Sequence, residues 1–317
     1  MTLKTTSKTL LAALFLLLGL ISANLAAAGS FHRIVVFGDS LSDPGNAFVL
    51  LHTVDVPPFS LIPDAPYARG GLHFTNGKTW VEDLGDQLDL SISTGPALVV
   101  PGVFSNYAVG AARARPGRLF DLTTQVGLFL RDFGGSAPED ALYVVFIGAN
   151  DVRDALSAFA VDPSGATSEG IISLALTAVR DNITVLASSG ARTFLVPNMP
   201  DFELLPAVRM QGPAAQDAAR ALTAAFNNGL AATLNGLQAA LLVGFKRLDV
   251  FGILNGVIAD PATVGLSDVQ NSCITPDTTV HPFCAQPDDF LFWDGIHPTR
   301  AAHAILARDA AALVTGF

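Results

Sequence analysis

The stretch Arg33-Ile34-Val35-Val36-Phe37-Gly38-Asp39-Ser40-Leu41-Ser42 decides the fold class. Ile34 to Phe37 are apolar in succession and largely β-branched, and Gly38 stops them. A short run with no polar alternation suits a strand buried on both faces, and such strands belong to parallel sheets covered by helices. A polar turn follows at once. In open parallel sheets ligands bind beyond the carboxyl ends of the strands, so Ser40 stands where a reactive side chain belongs. Taken alone the turn has a second reading, in which Ser40 or Ser42 caps a helix and Asp39 bonds its own turn.

Outward from this stretch the pattern repeats. Further strand candidates lie near Ser105 to Val109, Leu142 to Ile147, Thr193 to Val196 and Arg247 to Phe251. Helical spacing of apolar residues marks Lys78 to Asp89, Thr123 to Phe133, Asp151 to Phe159, Ser168 to Ser188, Pro213 to Leu242 and a last helix from Thr299. Alternation of this kind predicts an α/β chain with a central, mostly parallel sheet. Two Pro- and Gly-containing segments, Val54 to Asn76 and Asp260 to Asp289, read as loops. They carry Phe59, Leu61, Ile62 and, just beyond, Phe290, Leu291 and Phe292. These apolar side chains suit either contacts with acyl chains or anchoring of the loops to the core.

The N-terminus reads as an export signal over 1–28. Lys4 and Lys8 precede an uncharged run from Leu10 to Ile21, and Ala26 and Ala28 stand before Gly29. Twelve apolar residues fall short of the roughly 20 that a bilayer crossing needs, and no later segment matches a transmembrane helix in length and purity. The mature chain, 29–317, is expected to form one domain. The chain has 18 Lys and Arg against 28 Asp and Glu, net −10; losing two lysines and no acid with the leader makes it −12. Nucleic-acid partners want basic stripes, so this balance argues against them. Cys273 and Cys284 are the only cysteines, and in an exported chain they are expected to pair. The closed loop is short, so the gain is roughly 3 kcal/mol or less.

Three more places carry chemistry. Asn106-Tyr107-Ala108-Val109-Gly110 ends a strand candidate in a glycine, which can bring a backbone N–H near a ligand. Phe146-Ile147-Gly148-Ala149-Asn150-Asp151 does the same; Asn150 could cap a helix or stabilise a developing oxyanion. In Trp293-Asp294-Gly295-Ile296-His297-Pro298 a carboxylate and an imidazole share one tight turn. A serine nucleophile needs a base, and the base needs an orienting group. An ordinary surface Asp–His turn is the competing reading. His32, His52, His73, His281 and His303 lack such a neighbour, and a metal cage from Asp288, Asp289, Asp294 and His297 would crowd one loop.

Together and in this order the four blocks resemble the GDSL or SGNH hydrolase family, over nearly all of the mature chain. Gly38-Asp39-Ser40-Leu41, Gly110, Gly148-Ala149-Asn150-Asp151 and Asp294-Gly295-Ile296-His297-Pro298 match its blocks, and Phe74-Thr75-Asn76-Gly77-Lys78-Thr79-Trp80 is similar to its secreted lipase and esterase subgroup. The resemblance implies a three-layer αβα sandwich of flavodoxin-like type. It implies Ser40 as nucleophile, His297 as general base and Asp294 as its orienter. It further implies an oxyanion hole from the Ser40 N–H, the Gly110 N–H and the Asn150 side chain, an ester or lipid substrate, and no metal or organic cofactor. Asp39, Asp43 and Asn46 are expected to brace the turn rather than react. Acyl transfer through the same acyl-enzyme is the nearest alternative, and a silent binding protein on the same fold is the other. The sequence leaves the oligomeric state open.

Overall fold

The computed structural model describes residues 31–316, so the expected leader lies outside the described residues. Strand β1 (Arg33–Gly38) pairs in parallel with β2 (Ala141–Phe146), placing Val36 opposite Val144. β2 continues to β3 (Thr193–Pro197) and β3 to β4 (Gly244–Leu248), all parallel. Every residue of β2 is buried, as a strand covered on both faces requires.

The segment 105–109 lies on the other side of β1. It is tied there by Val36 N–H to Ser105 O (2.9 Å) and Tyr107 N–H to Val36 O (2.8 Å). It is a bridge and not the regular strand expected. Asn106 supplies the reason. Its side-chain oxygen takes the Ala108 N–H (3.0 Å) and its amide donates to Ser42 O (2.8 Å), so local bonds compete with the ladder.

The helices are α1 (Asn46–Leu51), α2 (Trp80–Gln87), α3 (Leu122–Asp132), α4 (Ala149–Val161), α5 (Ala166–Ser188), α6 (Pro206–Arg209), α7 (Pro213–Ala240), α8 (Val250–Ala259) and α9 (Arg300–Thr315). α2 packs with α9, while α3 and α4 pack with α5, and α5 with α7. The sheet thus has helices on both sides, the αβα arrangement expected. α5 is long and apolar enough to cross a membrane by composition, with a mean hydropathy of 1.4, a property the sequence reading did not give it. Ala175, Val179, Ile183 and Leu186 bury one of its faces in the core.

Two boundaries differ from expectation. The strand expected over Arg247 to Phe251 ends at Leu248, because Asp249 caps α8 by accepting the Gly252 N–H (3.1 Å). The segment from Asp260 to Asp289 is not all loop: β5 (Asp268–Ser272) pairs with β6 (Phe290–Phe292) in a small second sheet. The last helix starts as read, with Thr299 Oγ1 accepting the Ala302 N–H.

Gly148 joins β2 to α4 at φ +129°, where a Cβ would also strike the Phe226 ring. Gly148→Ala is therefore expected to cost about 2–4 kcal/mol in urea unfolding. Adding Phe226→Leu should return part of that loss, since it opens the space and leaves only the backbone strain.

Candidate active site

The nucleophile turn is held by buried polar groups. At the end of β1, Gln125 receives the Gly38 N–H (2.9 Å) and donates to Gly38 O (2.8 Å), which also accepts the Val109 N–H (3.2 Å), so a side chain supplements the last rungs on that edge. No pattern in the sequence pointed to Gln125. Asp39 O accepts the Ser42 N–H and Asp39 Oδ1 the Leu41 N–H, each at 3.1 Å. The Asp43 carboxylate gathers the N–H groups of Gly45 (2.8 Å), Asn46 (2.6 Å), Ala47 (3.0 Å) and Gly110 (2.7 Å). Asn46 donates to Asn106 O and Ala108 O. The Ser42 hydroxyl accepts from Trp80 Nε1 (3.0 Å). These bonds fix the turn and leave the Ser40 side chain at the cleft.

The second turn arrives from far along the chain. His297 Nε2 lies 2.8 Å from Ser40 Oγ, and His297 Nδ1 lies 2.7 Å from Asp294 Oδ2. Asp294 Oδ1 closes its own turn on the N–H groups of Ile296 (2.9 Å) and His297 (2.8 Å). A carboxylate at Nδ1 favours the tautomer with a proton there, which frees Nε2 to accept from serine. Tyr67 Oη donates to Asp294 Oδ2 at 2.9 Å, a partner that sequence reading missed because Tyr67 sits in an irregular loop 227 positions away. The Phe74 ring packs on the imidazole, centroids 5.4 Å apart. Gly110 is needed for this: a Cβ there would overlap the Phe74 ring.

The three N–H donors named from the sequence stand differently. Among the described residues the Ser40 N–H has no acceptor. Asn150, nearly buried, spends one amide hydrogen on Ala112 O (2.9 Å) and keeps the other. Gly110 departs from expectation, because its N–H is committed to Asp43 Oδ2 and not to open space.

The two loops buttress the Asp–His turn. Phe59, Tyr67, Phe283 and Trp293 form one aromatic cluster beside the disulfide that joins Cys273 to Cys284. Arg69 lies over the Phe283 ring at 4.7 Å. Leu61 O accepts the Gly295 N–H (2.8 Å). The apolar loop residues therefore divide. Phe59 and Phe292 are core anchors, Ile62 lines the cleft, and Leu291 does both.

The cleft at Ser40 and His297 has a volume of about 1380 Å³. Phe202, Leu205, Val208, Ile253, Leu254 and Val257 give it an apolar wall. His303 also lines it, but burial lowers its basicity to about 3, and its Nδ1 accepts the Trp80 N–H. Among the described residues no three His, Cys, Asp or Glu side chains gather as a metal cage.

Burial raises the Asp39 carboxyl from 3.8 to about 7, opposed by the Leu41 N–H, and its Oδ2 has no partner. A raised folded value means a penalty absent below about pH 4, growing to about pH 7 and full above it. Asp39→Asn is therefore expected to stabilise the protein by up to about 4 kcal/mol at pH 8 and to remove that slope. Unfolding at pH 4, 6 and 8 measures it, and an equal effect at all three would refute it.

The family model described as GDSL-like Lipase/Acylhydrolase matches residues 34–310. The chain is 26% identical to a phosphatidylcholine-sterol acyltransferase of Aeromonas hydrophila, over 94% of this chain and 95% of that protein. It is also 26% identical to a GDSL esterase/lipase of Arabidopsis thaliana, over 86% of each. An acetylxylan esterase structure from Geobacillus stearothermophilus aligns at 16% identity and a TM-score of 0.48, covering 92% of this chain and 96% of that one. With the family model spanning nearly all of the described residues, the chain belongs to the GDSL-like lipase/acylhydrolase family.

Proposed function

We propose that the chain is an exported serine hydrolase that cleaves carboxylic esters through an acyl-enzyme. The observation that carries this reading is the unbroken series Tyr67 Oη, Asp294 carboxylate, His297 imidazole, Ser40 hydroxyl, each contact between 2.7 and 2.9 Å. His297 Nε2 takes the Ser40 proton as Oγ attacks the ester carbonyl. Asp294 steadies the imidazolium that forms, without being protonated itself. The tetrahedral oxyanion is met by the Ser40 N–H and the remaining amide hydrogen of Asn150, donors set in place before reaction. Gly110 acts differently from the family expectation, admitting Phe74 against His297 and tying the end of its segment to Asp43. His297 then returns the proton to the leaving alcohol, and water, activated by the same imidazole, releases the acid.

Export is supported by the charged and apolar pattern of 1–28 and by the disulfide. Acyl transfer is the second reading. The breadth of the apolar cleft favours it, since an acceptor alcohol needs room beside the acyl group, and the Aeromonas hydrophila relative is named for such a reaction.

Hydrolysis of p-nitrophenyl esters of increasing chain length tests the reading. Ser40→Ala and His297→Ala are each expected to lower kcat by at least about 10⁴-fold with folding intact, and activity surviving Ser40→Ala would sink the mechanism. Asn150→Ala should cost about 10²–10³ in kcat. Tyr67→Phe, which removes one bond to a charged group, should slow kcat by roughly tenfold while leaving KM within about twofold.

A further inference from the structure

The arginines around the cleft are not alike. On α4, Asp154 accepts Nε and Nη2 of Arg113 (2.5 and 2.9 Å) and Nη2 of Arg115 (2.6 Å). Asp151 accepts Nη1 of Arg115 (2.7 Å) and the Ala114 N–H (2.7 Å). Both carboxylates are thus filled. Arg153 precedes Asp154 on the same helix, so its side chain turns about 100° away. It lines the cleft, one helical turn on from Asn150. Among the described residues its guanidinium makes no hydrogen bond or ion pair, although the residue is half-buried.

A guanidinium removed from water without an acceptor is costly; the charges of Asp154 and Asp39 offset part of that cost without bonding to it. Arg113 and Arg118 both lie close enough to repel it electrostatically. Arg118 lines the same cleft from the segment preceding α3; it is exposed, and among the described residues its guanidinium has no protein partner. Asp39 feels the Arg153 charge but makes no bond to it; its Oδ1 is closed into its own turn and its Oδ2 has no partner. Two acids line the cleft: Asp64, which is exposed, and Asp121, which accepts the backbone N–H groups of Arg113 (2.9 Å) and Arg118 (2.5 Å). The result is a positive spot in the cleft that holds the reacting serine, whose lining is otherwise mostly apolar.

We propose that Arg153, with Arg118 beside it, forms an anion-binding subsite of the Ser40 cleft, and that the favoured ester carries a carboxylate or a phosphodiester near its scissile bond. The planar fork of a guanidinium matches either group, two N–H donors meeting two oxygens. The apolar wall formed by Phe202, Leu205 and Val257 takes the acyl part of the same molecule. This rests on the ester-hydrolase reading for its substrate, though not for the binding of the anion.

Matched pairs of soluble esters test the subsite. One pair is 4-nitrophenyl octanoate and 3-carboxy-4-nitrophenyl octanoate. The other is 1-octanoylglycerol and 1-octanoylglycero-3-phosphomethanol. The readout is the ratio of kcat/KM, anionic over neutral, within each pair. The native enzyme should favour the anionic member of at least one pair, and the pair identifies the anion. Arg153→Gln should lower that ratio about 10- to 100-fold, mainly through KM, and Arg153→Lys should retain part of it. No anionic preference in either pair, or a ratio untouched by Arg153→Gln, overturns the proposal. Binding of the uncleavable ethers 1-O-octylglycero-3-phosphomethanol and 2-(octyloxy)propanoate to Ser40→Ala separates the two readings. Binding lost with Arg153→Gln, in a protein that cleaves no ester, would uphold the subsite and overturn the hydrolase; no binding of either ether together with no cleavage overturns both.

Discussion

Everything at the site depends on how β1 ends. A strand buried on both faces must have its backbone groups paired on both edges, since an unpaired N–H or C=O away from water costs as much as a lost hydrogen bond. β2 pairs one edge, and the segment 105–109 pairs the other only in part. At Gly38, the last residue of β1 to pair with β2, Gln125 takes the N–H on the other edge and shares the carbonyl with the Val109 N–H (3.2 Å). The chain can then leave the sheet in a tight turn without orphaned groups. Ser40 is the residue that this exit turns toward the cleft.

The same logic governs Asp43. A carboxylate with four N–H donors holds three consecutive residues of its own turn and one residue of the neighbouring segment. Burial still raises its carboxyl to about 6, against the pull of those donors. Order around the nucleophile is therefore maintained at an electrostatic cost, and Asp39 adds a second buried acid to it. Concentrations of such cost mark functional sites more often than they mark cores. Asp43 also holds the Gly110 N–H, so a group placed beside the reacting centre is tied into the scaffold.

Much of this was legible in the residues. The parallel sheet followed from apolar runs such as Ile34 to Phe37, and the helices from their spacing, because both signals are local. Ser40, Asp294 and His297 were legible for the same reason, each lying in a short turn of distinctive composition. What escaped was nonlocal. Tyr67 and Gln125 act through single atoms on partners that only the folded chain brings near. Arg153 looks like any helical arginine until Asp154 is seen to be occupied. Asn106 interrupts its strand through side-chain bonds that hydrophobic patterning does not register.

One contact also has a bearing on how the protein folds. Ser40 and His297 are separated by 257 positions, so their hydrogen bond closes nearly the whole described chain into one loop. Contacts of such span form only after the entropy of closing them has been met by other parts of the structure. The sheet can assemble from neighbouring segments with much shorter separations, whereas the acid–base pair waits for α9 and the disulfide-bearing segment to dock. Enzymatic competence is in this sense the last property the chain acquires, and regain of activity reports the end of refolding, where helix content reports its beginning.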